Sequence, residues 1–268
     1  MQANTLRSRW PLGMSVNAAM PPNLRQLADD GIDCIEVTWR APDTLSGAAL
    51  AECDRVICDA ERHGIRVWSL HLPYGDEWDP SSPDDSVRES AVAGLTRLID
   101  FACDRNVRTT VIHPSFEPIA PEAREARLRL ASRSLGALAR HAAGRGVRLA
   151  AECLPRTCLA HSAAEMLALL HDNPELWVCV DVNHLFRESP AAFIRAIGSR
   201  LATTHLSDNG GIDEEHRYPG DGIIDWPDVL RALEEVCYDG PAMYEVRGHT
   251  PDRVRANWNS LLHSKEVE

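Results

Sequence analysis

Eight short apolar runs, rich in β-branched and aromatic residues, recur along the chain and constrain its fold more than any other feature. They are PLGMSV (11–16), CIEVTW (34–39), VWSLHLP (67–73), TTVIHP (109–114), RLAAECL (148–154), WVCVDVNH (177–184), LATTHLSD (201–208) and AMYEVR (242–247). None alternates cleanly between apolar and polar residues. Runs of this kind suit strands buried on both faces, as in a parallel sheet. Between them the apolar spacing changes. Val87, Ala91, Leu95, Leu98 and Ala102 step by three or four, as do Leu128, Ala131, Leu135, Leu138 and Ala142. Each set lays one apolar stripe along a helix.

Capping chemistry marks where these helices begin. Ser82-Pro83-Asp84-Asp85 offers an N-cap serine, a proline at the first helical position and acids in the first turn. Ser162 and Glu165 have the spacing of a capping box, and Thr250-Pro251 repeats the pairing of cap and proline. Strands alternating with helices imply repeated βαβ units. A closed eight-fold barrel and a doubly wound open sheet both satisfy that order. No G-x-G-x-x-G follows the first run, which weakens the dinucleotide-binding open sheet. The chain has 268 residues, and a (β/α)8 barrel takes about 250. The expected fold is therefore α/β, a (β/α)8 TIM barrel, with residues 1–268 as one domain and no linker to divide them.

Hydrophobic residues make up 44% of the chain and charged ones 25%, an ordinary soluble balance. No apolar run is long enough to span a membrane. The N-terminal stretch MQANTLRSRWPLGMS lacks an apolar h-region, so the expectation is an unprocessed, cytoplasmic protein. Eight scattered cysteines contain no C-x-x-C pair and read as free thiols in a reducing compartment. The formal net charge of −12 gives no electrostatic help toward nucleic acid.

The polar residues that interrupt the runs sit near their C-terminal ends. They are His71, His113, Glu152, Asp181, His184, His205, Asp208, Glu245 and Arg247. On a barrel these ends converge on one mouth, where active sites are built. Glu152 is the sharpest case, a carboxylate inside the apolar LAAECLP. Burying it unpaired costs several kcal/mol. Carboxylates and imidazoles arriving from different strands suggest a divalent metal site. Their oxygen and nitrogen donors suit Mn²⁺, Mg²⁺, Co²⁺ or Zn²⁺. Each residue also has a plainer reading. A strand-end histidine is often just hydrogen-bonded, Asp181 can cap a helix, and Glu245 can pair with Arg247 on the same strand face. Glu36 within CIEVTW faces either the barrel interior or a polar network, with Cys153 and Cys179 taken as packing that alternates off the site. Trp39, Tyr74 and Trp78 are candidates for apolar walls against a substrate.

Seven stretches, SLHLPYG, VIHPS, AAECLP, CVDVNH, THLSDN, HRYPGDGIIDW and MYEVRG, run in order from residue 69 to 248. In them the chain resembles the xylose isomerase-like TIM barrel superfamily, which holds sugar (phosphate) isomerases and epimerases and the endonuclease IV type of abasic-site nuclease. The resemblance implies one divalent metal ion held by Glu152, Asp181, His205 and Glu245. It implies substrate contacts from His71, His113, His184 and His216, with Arg247 counted beside them, and a loop from His216 to Gly222 closing over the site. It implies Glu152 and Glu245 as catalytic acid and base of a sugar, sugar phosphate or cyclitol isomerase or epimerase working through a metal-stabilised enediolate. A lyase or dehydratase can use the same intermediate. The multi-zinc nuclease pattern adds an acid two residues before His216; here that acid is Glu214, where aspartate is expected. The implied partner is a small sugar, with neither nucleic acid nor membrane, and a homo-oligomer is compatible with the sequence.

Overall fold

The computed structural model describes residues 9–39, 45–248 and 250–264. The N-terminal expectation therefore falls largely outside the described residues. Each of the eight runs marks one strand, with β1, β3 and β6 extending one residue beyond it: β1 Leu12–Asn17, β2 Cys34–Thr38, β3 Arg66–His71, β4 Thr109–Ile112, β5 Arg148–Glu152, β6 Leu176–Asp181, β7 Leu201–His205 and β8 Ala242–Tyr244. Among the described residues each strand is followed by an α-helix: α1 Leu24–Asp29, α2 Gly47–Arg62, α3 Asp85–Asp104, α4 Arg124–Gly144, α5 Ala163–Asp172, α6 Pro190–Ile197, α7 Trp226–Glu235 and α8 Pro251–Ser264.

The strands pair in parallel in the order β7-β6-β5-β4-β3-β2-β1-β8. The ring closes just beyond β7 and β8, where Leu206 bridges Tyr244 in parallel. There the Leu206 N–H donates to Met243 O at 2.7 Å, and the Glu245 N–H donates to Leu206 O at 3.2 Å. The fold is a TIM barrel, as the alternation of periods predicts.

Alternation along β5 and β6 explains why the runs are apolar throughout. Leu149, Ala151, Val178 and Val180 join the large core against the helices. Ala150 and Cys179 turn the other way and form a separate small cluster with Val111 and Ala202. Glu152 and Asp181 stand two residues further on, so they share this inner side. Cys179 therefore lies on the site's face of β6, contrary to the expected alternation. Two register shifts refine the ring. Beside β2 the pairing jumps from Ile35–Val67 to Glu36–Ser69. Beside β6 it jumps from Val178–Leu201 to Cys179–Thr203. Such bulges bend a strand and re-aim the side chains beyond them.

The caps hold with two changes. α3 is capped by Asp84, whose carboxylate accepts from Ser86 N and Val87 N, so the helix starts two residues past the predicted Ser82–Pro83. Ser162 does accept from Glu165 N. The Glu165 carboxylate, however, takes the Ala160 N–H and the Arg124 guanidinium instead of completing the box. At α8, Pro251 opens the helix and Thr250 O accepts from Val254 N. Among the described residues no helix is long and apolar enough to cross a membrane.

Candidate metal centre

Glu152 ends β5, almost completely buried, and its partners answer the question its burial raises. Its Oε2 lies 3.1 Å from His71 Nε2 and 3.2 Å from His113 Nε2. Its Oε1 lies 3.2 Å from His205 Nδ1 and 3.5 Å from His184 Nδ1. These histidines arrive from β3, β4, β7 and the single turn after β6, so only ring closure gathers them. His205 Nδ1 is also 3.0 Å from Glu245 Oε2, which reaches in from the end of β8. Glu245 thus turns to His205, and the alternative pairing with Arg247 is not made.

Donor atoms of Glu152, Asp181, His205 and Glu245 all lie within 4.8 Å of one another. Two flanking groups meet the same limit: His71, His113 and Glu152, and His184, Glu214 and His216. One atom tests whether the first group fits a cation. Asp181 Oδ2 is buried and accepts no hydrogen bond. Its nearest basic atoms are His184 Nε2 at 3.4 Å and His205 Nδ1 at 3.9 Å. A buried carboxylate oxygen is rarely left so, and a divalent ion among these hard oxygen and imidazole donors would satisfy it.

The protons tell the same story. Burial opposes the charge on Glu152, yet His205 and His113 outweigh it and hold the carboxyl well below its ordinary range. Burial pushes Asp181 up to about 6; His184 pulls against that, while Glu245 and Glu152 add to it. Glu245, despite burial, is drawn down to about 2 chiefly by His205. His71 is lowered by burial but carried up to about 9 by Glu152. His184, likewise opposed by burial, reaches about 10 through Asp181, Glu214 and Glu152. For His113 burial prevails and lowers it. The metal-free cluster thus stores protons on imidazoles among carboxylates, the charge arrangement a cation would replace.

A cavity of about 140 Å³ opens onto these groups. His71, His113, Glu152, His184, His216 and Glu245 line it, while Asp181 and His205 are not part of its wall and are completely buried. Tyr74 stacks on His113 at 4.2 Å between ring centroids. Trp39 and Trp78, the other two candidate walls, are buried in the core instead. The Arg247 side chain is exposed and is not part of the cavity wall, and its backbone N–H donates to His216 O at 3.0 Å.

The loop after β7 carries Glu214 and His216, and Asp208 organises it. Asp208 pairs with Arg217 across the loop's base. Its carboxylate accepts from Gly220 N at 2.9 Å, Ile224 N at 3.2 Å and Trp226 Nε1 at 2.7 Å. Glu214 then stands 2.9 Å from His184 Nε2, so glutamate fills the place where aspartate is expected. His216 Nδ1 lies 2.9 Å from Glu245 O.

Sequence reasoning missed Phe116, Glu117 and Arg156 on the outer wall. Arg156 is clamped by Glu117 at 2.5 Å, Asp213 at 2.9 Å and Glu214 at 3.2 Å. Its signal was positional: Arg156 follows directly on AAECLP, in a loop at the mouth. Arg156 and His216 both hold left-handed backbone, with φ of 51° and 50°. Such conformations cost about 1–3 kcal/mol and gather at functional sites.

The family profile of xylose isomerase-like TIM barrels matches residues 24–263. The chain belongs to that family. Among relatives of this xylose isomerase-like barrel, a ketose 3-epimerase of Arthrobacter globiformis is 26% identical over 260 residues, 91% of this chain and 85% of that protein. A D-tagatose 3-epimerase-like protein superposes with a TM-score of 0.80 at 21% identity, covering 95% of this chain and 98% of the other. The 3-keto-D-glucoside 4-epimerase of E. coli, in its apo form, superposes with a TM-score of 0.75 at 18% identity, covering 95% and 99%. At these identities the structural likeness speaks for the fold alone, and function rests on the site.

Proposed function

We propose that the protein is a divalent-metal-dependent sugar epimerase or isomerase, with Glu152 and Glu245 as its acid–base pair. The observation that carries this reading is the group Glu152, Asp181, His205 and Glu245, with its unsatisfied Asp181 oxygen, opening onto a cavity through its two glutamates. The ketose 3-epimerase relative supports the substrate class. A cation held there would act as a Lewis acid on a ketose carbonyl and its neighbouring hydroxyl, making the α C–H acidic.

The remaining chemistry belongs to the chain. β5 and β8 stand three places apart round the ring, so Glu152 and Glu245 approach a bound sugar from different sides. Both are ionised near neutrality in the metal-free protein, each able to accept a proton. One takes it from the α carbon. The other, once it has taken a proton from solvent, delivers it to the opposite face for epimerisation or to the adjacent carbon for isomerisation. His71, His113, His184 and His216 line the wall and supply hydrogen bonds to hydroxyls. Tyr74 adds an apolar face.

The test is α-proton exchange of a ketose panel in deuterated water, with metal-loaded protein. Exchange is expected in wild type and lost in Glu245→Gln with the metal retained. Normal turnover by that variant removes Glu245 from the acid–base pair.

One observation favours a second reading, a multinuclear hydrolase of the abasic-site nuclease type. The two flanking groups could each hold a further ion. The net charge of −12 weighs against a phosphodiester polymer as substrate. Metal content per chain separates the readings. One equivalent supports the epimerase. Two or three equivalents of zinc, with cleavage of an abasic-site duplex, support the hydrolase.

A further inference from the structure

Glu36 is a buried carboxylate that neither the four-donor group nor the cavity uses. It sits mid-way along β2 with 0% of its surface exposed. A charge so placed needs a partner. Among the described residues, the one basic side chain within 4 Å is His205, whose Nε2 is 2.9 Å from Glu36 Oε1. The approach is off the ideal hydrogen-bond line, and neither atom has another partner. The other oxygen, Oε2, accepts from Ser69 Oγ at 2.7 Å. The bulge beside β2 brings Ser69 opposite Glu36 by skipping Trp68 in the register. Ser69 therefore anchors one oxygen, and the other faces the His205 ring.

The His205 ring lies between two unlike surroundings. Nδ1 faces Glu245 Oε2 at 3.0 Å, Glu152 Oε1 at 3.2 Å and Asp181 Oδ2 at 3.9 Å. Nε2 faces Glu36. A neutral imidazole carries one N–H, and the hydrogen bond made by one nitrogen decides the role of the other. Without a metal Nδ1 hydrogen-bonds Glu152 Oε1 at 3.2 Å and so carries a proton there. A cation at that place would displace this proton, and the one left on Nε2 would face Glu36, which when ionised can only accept. Glu36 is not itself in the donor group within 4.8 Å, because the imidazole stands between them.

We propose that Glu36, anchored by Ser69, is the positioning residue that fixes His205 with its proton on Nε2 and its Nδ1 free to bind a divalent cation. The proposal rests on the reading of His205 as a metal ligand. A carboxylate behind a ligating histidine also raises the basicity of the donor nitrogen, and loss of such a partner typically weakens metal binding about 10–100-fold.

The experiment measures zinc and manganese affinity of the full chain by chelator competition, for wild type, Glu36→Gln, Glu36→Leu and His205→Ala. Ring-nitrogen NMR of the zinc-loaded, ¹⁵N-histidine-labelled protein reads the protonation of His205. Leucine removes the acceptor, so Glu36→Leu is expected to bind about 10–100-fold more weakly and to lose the defined Nε2 proton. Glutamine keeps an acceptor oxygen, so Glu36→Gln is expected to bind more weakly than wild type but more tightly than the leucine variant, with Nε2 still protonated. Filling the barrel interior alone would not move the ring-nitrogen signature. Wild-type affinity and an unchanged His205 signature in Glu36→Leu would overturn the proposal. If that variant does not fold, the glutamine variant decides: unchanged affinity overturns, and weaker binding with Nε2 protonated upholds. Absence of metal binding by wild type would defeat the functional reading itself, whereas binding unaffected by His205→Ala would defeat only this inference.

Discussion

Replacing Glu152 by glutamine keeps the shape of the side chain and deletes the charge on which four imidazoles converge. Part of the loss in metal-free protein at neutral pH is the pair with His71, 3.1 Å away. At an effective dielectric of about 20, unit charges at that distance attract by roughly 5 kcal/mol. The amide returns about 1 kcal/mol as an ordinary hydrogen bond. Burial alone lowers His71, so without Glu152 the ring sheds its proton at neutral pH and escapes part of the penalty. A net cost of about 3 kcal/mol follows, at the lower end for a broken buried pair. For a chain of this size each kcal/mol moves Tm by about 2–4 °C, so chelator-treated Glu152→Gln should melt about 6–12 °C below wild type at pH 7. Scanning calorimetry reads this directly. The gap should narrow as the pH rises through about 9, where wild-type His71 also becomes neutral. A drop of less than 2 °C at pH 7, or a gap that does not change with pH, would refute the assignment of Glu152 as the charge that holds the cluster.

Two further outcomes follow from the same geometry. His71 and His184 titrate at about 9 and about 10 in the folded, metal-free chain, above the unfolded value of 6.5. Their stabilisation is whole below pH 6.5 and is lost as pH rises through those values. Glu214 and Glu245, held at about 2 against an unfolded 4.5, contribute above pH 4.5 and fail only in strong acid. The Tm of chelator-treated protein should therefore fall between pH 7 and pH 10, while metal-loaded protein, in which a cation would neutralise Glu152 and Asp181 in place of those imidazolium charges, falls less; parallel curves would count against it. Gly222→Ala would place a methyl group 2.2 Å from both Asn209 O and Asp208 Oδ1. The loop must shift, at a cost of about 1–3 kcal/mol, and KM should rise with Glu214 and His216 displaced. Unaltered Tm and KM would show that the loop is not held by Asp208.

The parts of this protein that were legible in the sequence are those governed by neighbours along the chain. Each apolar run marked one strand, with β1, β3 and β6 overrunning it by one residue, because a strand packed on both faces must be apolar at nearly every position. Most of the odd polar residues could be found at the ends of those runs for the same reason, with Glu36, in the middle of its run, the exception. Local competition already blurred detail. At α3 the sequence reads Ser82 as the cap and Asp84 as a first-turn acid, whereas the Asp84 carboxylate takes two backbone N–H groups and becomes the cap itself. Trp39 and Trp78 illustrate a different limit: an aromatic near the mouth serves the core as readily as a ligand, and only packing shows which.

Distances between residues remote in the chain belong to the tertiary structure alone. Glu152 meets His71 and His205 because the ring of strands closes through Leu206 and Tyr244, and no local pattern encodes that meeting. The two bulges matter most. A strand's side chains alternate with period two, so one skipped residue exchanges inner and outer faces from that point on. The skip at Trp68 sets Ser69 against Glu36, and the skip at Ala202 sets His205 beside Asp181. The sequence by itself determined which residues would stand at the mouth of a barrel. Closure and register decided which of them touch, because those depend on hydrogen bonding between strands that are distant in the chain.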